Sequence, residues 1–505
     1  MGCSSGTSKM IKDNIGQKEI PKKLYKSKSI FICLFCGRDK CYHENYLEHP
    51  THNAIKGLNS DQIDENLFAS QRPSNILIEK FNLIEEFKKK NIGLIINLEE
   101  PGEHPFCGPN EGLDEESGYS YSPSKFEIND IKVQLFPFMD LDVPDILNLM
   151  LNIVKLMYYY INNLNKKVFV HCHAGLGRTG TTIVCYKIFS EGVYYENAIL
   201  EIRKIRKKSV QNKKQFMFCQ RFYYYIMRLK EVFTEEKCDI DFFIQNQNNL
   251  NVGKYNFNHF EYNYFVPVIL QYLVDCILNL KDKYINSVID FYKNFNKVFS
   301  GKIRENNEEF YIFINNINNG NYEILQKKND IILIIELLYY WLKNCVNYCI
   351  SFKSISSLSD DFQNYKSCFK EYELENILFF IDFFKNLKCE NEEETNEKNL
   401  IMEKLFISLI GIDNNNNDNI NNKFIDFIQY LSNDLDNNNE LHKKMDDFNN
   451  IYKSNLFSSI DHQLISIKSS ILNNDIYTNK RNNNEDNLIF QKNHSKKPWI
   501  KEEDC

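Results

Sequence analysis

The sequence predicts an α/β domain with a mostly parallel central sheet flanked by helices, followed by an all-α region that carries Asn-rich insertions. Two observations predict this architecture. In the first half of the chain, short β-type runs alternate with longer helical runs, a pattern typical of a parallel sheet covered on both faces. From residue 235 onward, apolar residues recur at helical spacing.

The predicted strands and helices alternate along residues 63–234. Strands are predicted where β-branched and aromatic residues cluster, at residues 67–69, 92–98, 131–136 and 167–171. Helices are predicted from apolar residues at helical spacing, at residues 75–89, 144–164, 179–191, 194–208 and 213–233. Gly192 is expected to end the third helix. In such a sheet, a functional site is expected at the carboxyl ends of the strands.

The rest of the chain is predicted to be helical or low in complexity. Further helices are predicted at residues 266–280, 284–299, 331–350 and 374–387. The Asn-rich runs 413–422 and 433–440 are expected to be exposed insertions, and the polar stretch from residue 477 to be poorly ordered. The predicted domains are a basic tail (1–28), a Cys-containing lead-in segment (29–62), the α/β domain (63–234), a helical region (235–412) and an Asn-rich tail (413–505).

Composition narrows the class of protein. The 505 residues are enough for two or three domains, and 43% hydrophobic with 26% charged residues indicates a mostly globular chain. A net charge of −7 gives no reason to expect binding to nucleic acid. Fifteen cysteines without a disulfide pattern, and no secretory signal, predict reduced thiols in the cytoplasm.

The segment 171–180, HCHAGLGRTG, carries the strongest chemical signal. It joins a predicted strand to an apolar helix, so its backbone N–H groups point at one position where an anion can bind. Cys172 lies at the rim of that position, and a thiol placed there ionises easily. Arg178 closes the loop with a planar guanidinium that can hold two phosphate oxygens. The pattern therefore predicts cysteine-dependent hydrolysis of a phosphoester.

This segment resembles the signature loop of the protein tyrosine phosphatase superfamily. It is most similar to the loops of two subgroups, the protein tyrosine phosphatase domain-containing proteins and the mitotic-exit dual-specificity phosphatases. Similarity to the first subgroup extends over residues 30–232. The resemblance implies a cysteine-phosphatase fold and a protein-tyrosine or dual-specificity phosphatase that forms a phosphocysteine intermediate on Cys172. That chemistry requires no cofactor and no metal ion.

The residues of the loop receive separate roles. The phosphate is expected to be held by His173, Ala174, Gly175, Leu176, Gly177, Arg178 and Thr179, chiefly through preorganised backbone N–H donors. The Thr179 hydroxyl is expected to stabilise the thiolate when it departs. His171 is expected to order the loop through hydrogen bonds rather than to transfer protons.

A general acid must protonate the leaving oxygen, and the segment 136–145 is similar to the family's acid loop. The resemblance favours Asp140 as this acid, with Asp142 as the alternative. Asp145 is expected to be the N-cap of the following helix. Simple turn chemistry is the other explanation for each of these aspartates.

The second chemical step needs a positioned water molecule. The segment 206–211 and Gln215 resemble the family segment in which a glutamine orients this water, and Gln211 is the predicted residue. The family usually has proline where this chain has Lys207. A polar helix start capped by Ser209 is the alternative interpretation.

Two further contacts of the loop are predicted. Glu100 or Glu103 is a candidate partner for Arg178, with an exposed turn carboxylate as the alternative. Cys107 is either a redox partner of Cys172 or an inert loop thiol, and the latter is favoured.

The N-terminus predicts contact with a membrane. Gly2 and Cys3 resemble a myristoylation signal with an adjacent palmitoylation site, although Gly6 stands where Ser or Thr is usual. A lysine-rich segment follows, and an acyl chain combined with basic residues anchors a protein stably. A solvated basic tail is the alternative. The expected location is the cytoplasmic face of a membrane.

A zinc site is an open alternative for the lead-in segment. Its candidate ligands are Cys33, Cys36, Cys41 and His43, although the spacing between the second and third is shorter than in common structural sites.

Three functions are compatible with the sequence. A phosphatase acting on protein phosphotyrosine, and on phosphoserine or phosphothreonine as an extension, is favoured. A phosphoinositide phosphatase is disfavoured, because the related lipid enzymes have lysines where this chain has His173 and Leu176. A non-catalytic phosphate-binding scaffold is disfavoured because nucleophile, arginine and acid are all present. The helical region after residue 235 is a candidate surface for a protein partner.

Overall fold

The computed structural model describes residues 41–45, 47, 49–108, 112–250, 263–281, 288–301, 308–327, 330–410 and 418–437. The described residues divide into two compact units, one reaching Tyr225 and the other beginning at Ile226. The predicted domain boundaries remain predictions. The proposed lipidation sites Gly2 and Cys3, and the candidate zinc ligands Cys33 and Cys36, lie outside the described residues.

The first unit contains a five-stranded sheet in the order β1-β2-β5-β3-β4. Its strands are β1 (Ser60–Gln62), β2 (Leu67–Ser70), β3 (Ile92–Asn97), β4 (Lys132–Leu135) and β5 (Lys167–His171). The strands β2, β5, β3 and β4 run parallel, and only β1 is antiparallel to its neighbour β2. This confirms the predicted mostly parallel sheet. Every residue of β3 is buried, as expected for an interior strand with both faces covered.

Seven helices begin in the described part of this unit, and the last of them, α7, continues past Tyr225. They are α1 (Asn75–Phe81), α2 (Leu83–Lys89), α3 (Ser124–Glu127), α4 (Leu147–Asn162), α5 (Gly177–Glu191), α6 (Tyr195–Ile205) and α7 (Lys213–Lys230). Residues 177–189 of α5 are all buried. Gly192 ends α5 in the left-handed conformation at φ +71°, which confirms its predicted role as a helix terminator.

Two local predictions are wrong, and one alternative interpretation does not hold. The single helix predicted at 75–89 is interrupted at Asn82, which adopts φ +48° and separates α1 from α2. Asp145 does not cap α4, because the cap position is Ile146 and no side chain caps that helix end. Ser209 does not begin a helix, since Val210 has a left-handed φ of +60° and α7 starts only at Lys213.

The second unit is all-α in its described residues. Its helices are α8 (Ile240–Leu250), α9 (Val268–Lys281), α10 (Val288–Phe299), α11 (Glu308–Asn318), α12 (Glu323–Lys327), α13 (Ile331–Tyr340), α14 (Phe352–Ser356), α15 (Tyr365–Cys368), α16 (Glu371–Asn386), α17 (Glu392–Ile410) and α18 (Asp418–Asn437). The helix predicted at 331–350 is shorter, because α13 passes into a π-helical turn at Trp341–Cys345. Trp341 is fully buried in the core of this unit, and its indole Nε1 donates a hydrogen bond of 2.8 Å to the Val232 carbonyl.

The Asn-rich runs are helical where the structure describes them, and Asn419, Asn422 and Asn433 are exposed as predicted. Residues 418–422 and 433–437 belong to α18, whereas 411–417 and 438–505 lie outside the described residues. The helix forms because four apolar residues between the two runs, Phe424, Phe427, Ile428 and Leu431, recur at helical spacing and are buried. Among the helices described, none is both long enough and apolar enough to cross a membrane.

Candidate active site

The signature loop connects β5 to α5 at the carboxyl end of the central strand, where the sequence predicts the site. Three successive carbonyl groups of this loop are fixed from outside. The buried Arg206 donates from Nε to the Gly175 carbonyl at 2.6 Å and from Nη2 to the Ala174 carbonyl at 3.0 Å. The backbone N–H of Arg72 donates to the His173 carbonyl at 3.2 Å. Fixed carbonyls on one side of such a loop are the arrangement expected when its N–H groups serve an anion.

Gly175 is the position in this loop that only glycine fits. Its φ is +70°, and a Cβ added there would lie 2.1 Å from the Ser70 carbonyl oxygen at the end of β2. Both the conformation and the close approach of two backbones therefore exclude other residues.

Arg178 is buried and bound by groups from several segments. Its Nη1 donates to the carbonyls of Leu98 and Phe138 at 3.0 and 2.9 Å, and to Glu103 Oε2 at 2.8 Å. Its Nη2 donates to Glu103 Oε1 and lies 3.1 Å from Asp140 Oδ1. Of the two glutamates predicted as partners, the structure thus pairs Glu103 with the guanidinium.

The charge of Arg178 controls the titration of Glu103. Burial alone would raise the pKa of this carboxyl, but the arginine charge and the hydrogen bonds from His104 and Arg178 lower it to about 2. Glu103 is therefore ionised throughout the physiological pH range.

Asp140 lies at the mouth of the site, with a side chain that is 25% exposed. Its Oδ2 accepts a hydrogen bond of 3.2 Å from His104 Nε2. Burial works to raise the pKa of Asp140, but this hydrogen bond and the nearby Arg178 charge hold it well below its usual range. The structure therefore brings the predicted acid into direct contact with the predicted phosphate-binding arginine.

Asp142, the alternative acid, is engaged elsewhere. Its carboxylate forms an ion pair with Lys214 and accepts a hydrogen bond of 2.7 Å from the Val143 N–H. The Gln215 side-chain Nε2 lies 3.4 Å from the Asp142 carbonyl. Asp142 thus attaches the acid loop to α7.

Both candidate glutamines reach the signature loop at Gly177. A Cβ added to this glycine would lie 2.5 Å from Gln211 Oε1 and 2.9 Å from Gln215 Nε2. Gln215 is buried, and its Oε1 accepts a hydrogen bond of 2.9 Å from the Gln211 N–H. Gln215 therefore fixes the backbone of Gln211, whose own side chain is the more accessible of the two.

His171 and Thr179 complete the loop. His171 is fully buried, with Nε2 at 2.9 Å from the Tyr121 hydroxyl, and burial lowers its pKa to about 3. A histidine that stays neutral and hydrogen-bonded fits the predicted ordering role. The buried Thr179 hydroxyl has no hydrogen-bond partner among the described residues. Cys172 itself is buried, with 3% of its surface exposed.

Sequence reasoning missed several buried polar residues around this loop. Arg72 donates to Glu44 at 3.0 Å, to Glu99 at 3.2 Å and to the His104 carbonyl at 2.8 Å. The His104 ring stacks on His173 with ring centroids 3.8 Å apart. One available signal was position: Arg72 follows β2, which pairs in parallel with β5 so that Ser70 lies opposite His171.

Two clusters of potential metal-binding residues occur among the described residues. Glu103, His104 and Asp140 form one, and the guanidinium of Arg178 already pairs with both of its carboxylates. Cys41, Cys107 and His173 form the other, and all three are buried. Cys41 therefore meets Cys107 and His173, which were not among the ligands considered from sequence.

The chain was compared with known families and proteins. Residues 123–225 match the family model described as Protein-tyrosine phosphatase. Protein tyrosine phosphatase domain-containing protein 1 of Mus musculus is 38% identical over 200 residues, which cover 39% of this chain and 26% of that protein. Tyrosine-protein phosphatase cdcA of Emericella nidulans is 30% identical over 144 residues, covering 28% of this chain and 21% of that protein. The matched region thus spans about a quarter of the length of these curated relatives.

Solved structures of phosphatases are also similar to part of the chain. The active form of Tk-PTP has 22% sequence identity and a TM-score of 0.27, covering 33% of this chain and 96% of that one. PTPMT1 in complex with PI(5)P has 20% identity and a TM-score of 0.27, covering 33% and 95% of the two chains. The family match, the curated relatives and the α/β fold around the signature loop agree on one point: the region around this loop, with residues 123–225 matched by the family model, is similar to protein-tyrosine phosphatases.

Proposed function

We propose that this chain hydrolyses phosphotyrosine in proteins, with phosphoserine and phosphothreonine as a possible extension of its range. The observation that carries the proposal is the contact between Arg178 and Asp140. The two residues come from separate loops, and Asp140 Oδ1 lies 3.1 Å from Arg178 Nη2. Cys172 belongs to the same loop as this arginine. A nucleophilic cysteine, a phosphate-binding guanidinium and an acid together suit hydrolysis through a phosphocysteine.

The first step forms the phosphocysteine. The Cys172 thiolate attacks phosphorus, the bond from phosphorus to the leaving oxygen breaks, and Asp140 donates a proton to that oxygen. The Arg178 Nε has no hydrogen-bond partner among the described residues and is therefore available to a phosphoryl oxygen. A bound phosphate dianion would also raise the pKa of Asp140, because like charges disfavour ionisation. Substrate binding thereby favours the protonated acid that the step requires.

The second step releases phosphate. Gln211 positions a water molecule, Asp140 accepts one of its protons, and the water oxygen displaces Cys172 from phosphorus. The Thr179 hydroxyl stabilises the departing thiolate. These roles rest on the family resemblance and on the approach of Gln211 to Gly177.

The surroundings of His173 favour a protein substrate over a phosphoinositide. Phosphoinositide phosphatases of related fold usually have lysines beside the cysteine and in the loop centre to hold additional phosphates. Here the His173 side chain is buried, with Nε2 at 2.8 Å from Glu44 Oε1, and Leu176 is apolar and 8% exposed. Neither side chain offers a free cation to a second phosphate.

A substrate panel tests the proposal. An aryl phosphate, peptides with phosphotyrosine, phosphoserine or phosphothreonine, and phosphoinositides are assayed with wild type, Cys172→Ser and Cys368→Ser. Cys368, a half-buried thiol of the second unit, is the matched control. We expect wild type and Cys368→Ser to hydrolyse the phosphotyrosine peptides and Cys172→Ser to be inactive. Faster turnover of phosphoinositides than of every peptide would refute the proposed substrate class.

A further inference from the structure

Two cysteines and a histidine from three separate segments meet in the interior of the first unit. Cys41 belongs to the lead-in segment, Cys107 to the loop after β3, and His173 to the signature loop. Each offers one ligand atom, and the three atoms all lie within 4.8 Å of one another. We propose that these three residues bind a zinc ion, and that the carboxylate of Glu44, which lies outside this set but contacts His173, moves to the ion as the fourth ligand.

The distances between the ligand atoms suit zinc. Zn–S bonds of about 2.3 Å and Zn–N bonds of about 2.0–2.1 Å, at a tetrahedral angle, place sulfur and nitrogen about 3.6 Å apart. Cys41 Sγ and His173 Nε2 are 3.7 Å apart. A zinc ion therefore fits between these two atoms with little movement of either segment.

Glu44 has a buried carboxylate oxygen beside this cluster. It is fully buried, and its Oε2 has no hydrogen-bond partner among the described residues. This oxygen lies directly under Gly108, the residue after Cys107, since a Cβ added to Gly108 would be 1.9 Å from it. A buried carboxylate oxygen without a donor is unfavourable and is stabilised by a cation.

The Glu44 carboxylate also contacts the imidazole. Glu44 Oε1 lies 2.8 Å from His173 Nε2. When zinc is absent, a protonated Nε2 therefore donates a hydrogen bond to this carboxylate. Zinc would replace this proton, bind the nitrogen lone pair and attract the same carboxylate. Its binding would also release the two thiol protons.

The charges of the cluster balance around a divalent soft cation. Glu44 is already paired with Arg72, at 3.0 Å between Oε1 and Nε. Two thiolates then match the two charges of zinc. Two sulfur ligands and an imidazole select zinc over the hard cations Mg²⁺ and Ca²⁺, which prefer oxygen.

Zinc in this position would hold parts of the active site together. His173 follows the nucleophile Cys172 in the chain, and Cys107 lies in the same loop as Glu103 and His104, which contact Arg178 and Asp140. The ion would therefore fix the signature loop relative to the loop that orients its arginine. This is a positioning role, because none of the ligand atoms is assigned to the reacting phosphate.

Metal analysis of the full chain tests the site. The protein is purified under reducing conditions without chelator, and zinc per chain is measured for wild type, Cys107→Ser and His43→Gln. We expect about one zinc per chain in wild type and His43→Gln, and at least a fivefold loss in Cys107→Ser. His43 is the matched control, because it belongs to the ligand set suggested by sequence but lies outside the cluster. Zinc retained in Cys107→Ser and lost in His43→Gln would overturn the proposal.

Spectroscopy of wild type keeps the test valid if Cys107→Ser fails to fold. After exchange of zinc for Co²⁺, two thiolate ligands should give a thiolate-to-cobalt charge-transfer band and the visible bands of a tetrahedral site. In a folded Cys107→Ser the charge-transfer intensity per bound cobalt ion should fall about twofold, since one of two sulfur ligands is lost. Wild type that binds neither zinc nor cobalt, or that holds a Cys41–Cys107 disulfide under reducing conditions, would refute a zinc site. Neither outcome bears on phosphatase activity, which is measured separately.

Discussion

Arg178 is held by protein groups from both loops that flank the site. A buried guanidinium has several N–H donors to satisfy, and here the carbonyls of Leu98 and Phe138 and the carboxylate of Glu103 accept from it. These contacts fix the plane of the guanidinium before a phosphate arrives. Preorganisation of this kind lowers the free energy needed to reorient charge during the reaction.

A first prediction concerns the identity of the general acid. Asp140→Asn should lower kcat for phosphotyrosine peptides by roughly 10²–10⁴-fold, the usual contribution of a general acid. Asp142→Asn should have a much smaller effect, because Asp142 pairs with Lys214 rather than with Arg178. Steady-state kinetics on one peptide compares the two variants, and a greater loss in Asp142→Asn would assign the acid to Asp142.

A second prediction concerns the pH dependence of stability. Glu103→Gln should lower the free energy of unfolding at pH 7 by about 3 kcal/mol, since a buried arginine loses its main partner. The pKa of Glu103 is lowered from 4.5 to about 2, so its contribution is complete above pH 4.5 and is lost as pH falls toward 2. The difference between wild type and Glu103→Gln should therefore shrink over that interval.

Denaturant unfolding at a series of pH values measures this difference. Glu100→Gln is the matched control, because its carboxyl is more exposed and forms no ion pair with Arg178 among the described contacts. A difference for Glu103→Gln that stays constant from pH 7 to pH 3 would contradict the assigned ion pair.

At the scale of elements, the strands and the signature helix were predictable because their patterns are local. Strand β5 and the end of α5 lie where the sequence places them. The strand β1 was missed because Ser60–Gln62 contains no apolar residue, and pairing with β2 rather than local pattern forms it. The break at Asn82 was missed because apolar residues continue at helical spacing across it.

A third prediction belongs to the loop between β5 and α5. Gly175→Ala should destabilise the protein and abolish hydrolysis of an aryl phosphate, because the added methyl would meet the Ser70 carbonyl at 2.1 Å. Gly192, at the end of α5, has nearly the same positive φ, +71° against +70° for Gly175, so Gly192→Ala is the matched control. It should cost only about 1–2 kcal/mol for the left-handed conformation and leave activity intact.

Thermal unfolding and aryl phosphate kinetics of the two glycine variants separate strain from clash. Equal effects on stability and activity would mean that backbone conformation alone, and not the approach to Ser70, makes Gly175 necessary.

At the scale of the whole molecule, the site combines residues that local patterns reveal with residues that they do not. Cys172 and Arg178 lie in one contiguous segment and were predictable from it. Arg72 and His104 follow β2 and β3, which both pair in parallel with β5, whereas Arg206 follows α6 and reaches the loop through the carbonyls of Gly175 and Ala174. The local sequence does not mark Arg72 or His104, because each is an ordinary polar residue of a loop, and the segment that begins at Arg206 was noted only for its glutamine.

A fourth prediction concerns the N-terminal segment. Mass spectrometry of the N-terminal peptide from eukaryotic cells should show loss of Met1, a myristoyl group on Gly2 and a thioester-linked palmitoyl group on Cys3. Gly2→Ala should abolish myristoylation and shift the protein from the membrane to the soluble fraction, since anchoring needs two signals. An unmodified Met1 would end this proposal while leaving the phosphatase assignment untouched.

The central claim is that Cys172 carries the phosphoryl group, and a rapid acid quench tests it most directly. Gln211→Ala, which should slow the second step, is mixed with a phosphotyrosine peptide, quenched within one turnover and digested for mass spectrometry. We predict a phosphoryl group on the peptide that contains Cys172, and none in the Cys172→Ser, Gln211→Ala double variant. Phosphopeptide turnover with no phosphorylated Cys172 at any quench time, or turnover that survives Cys172→Ser, would contradict the account.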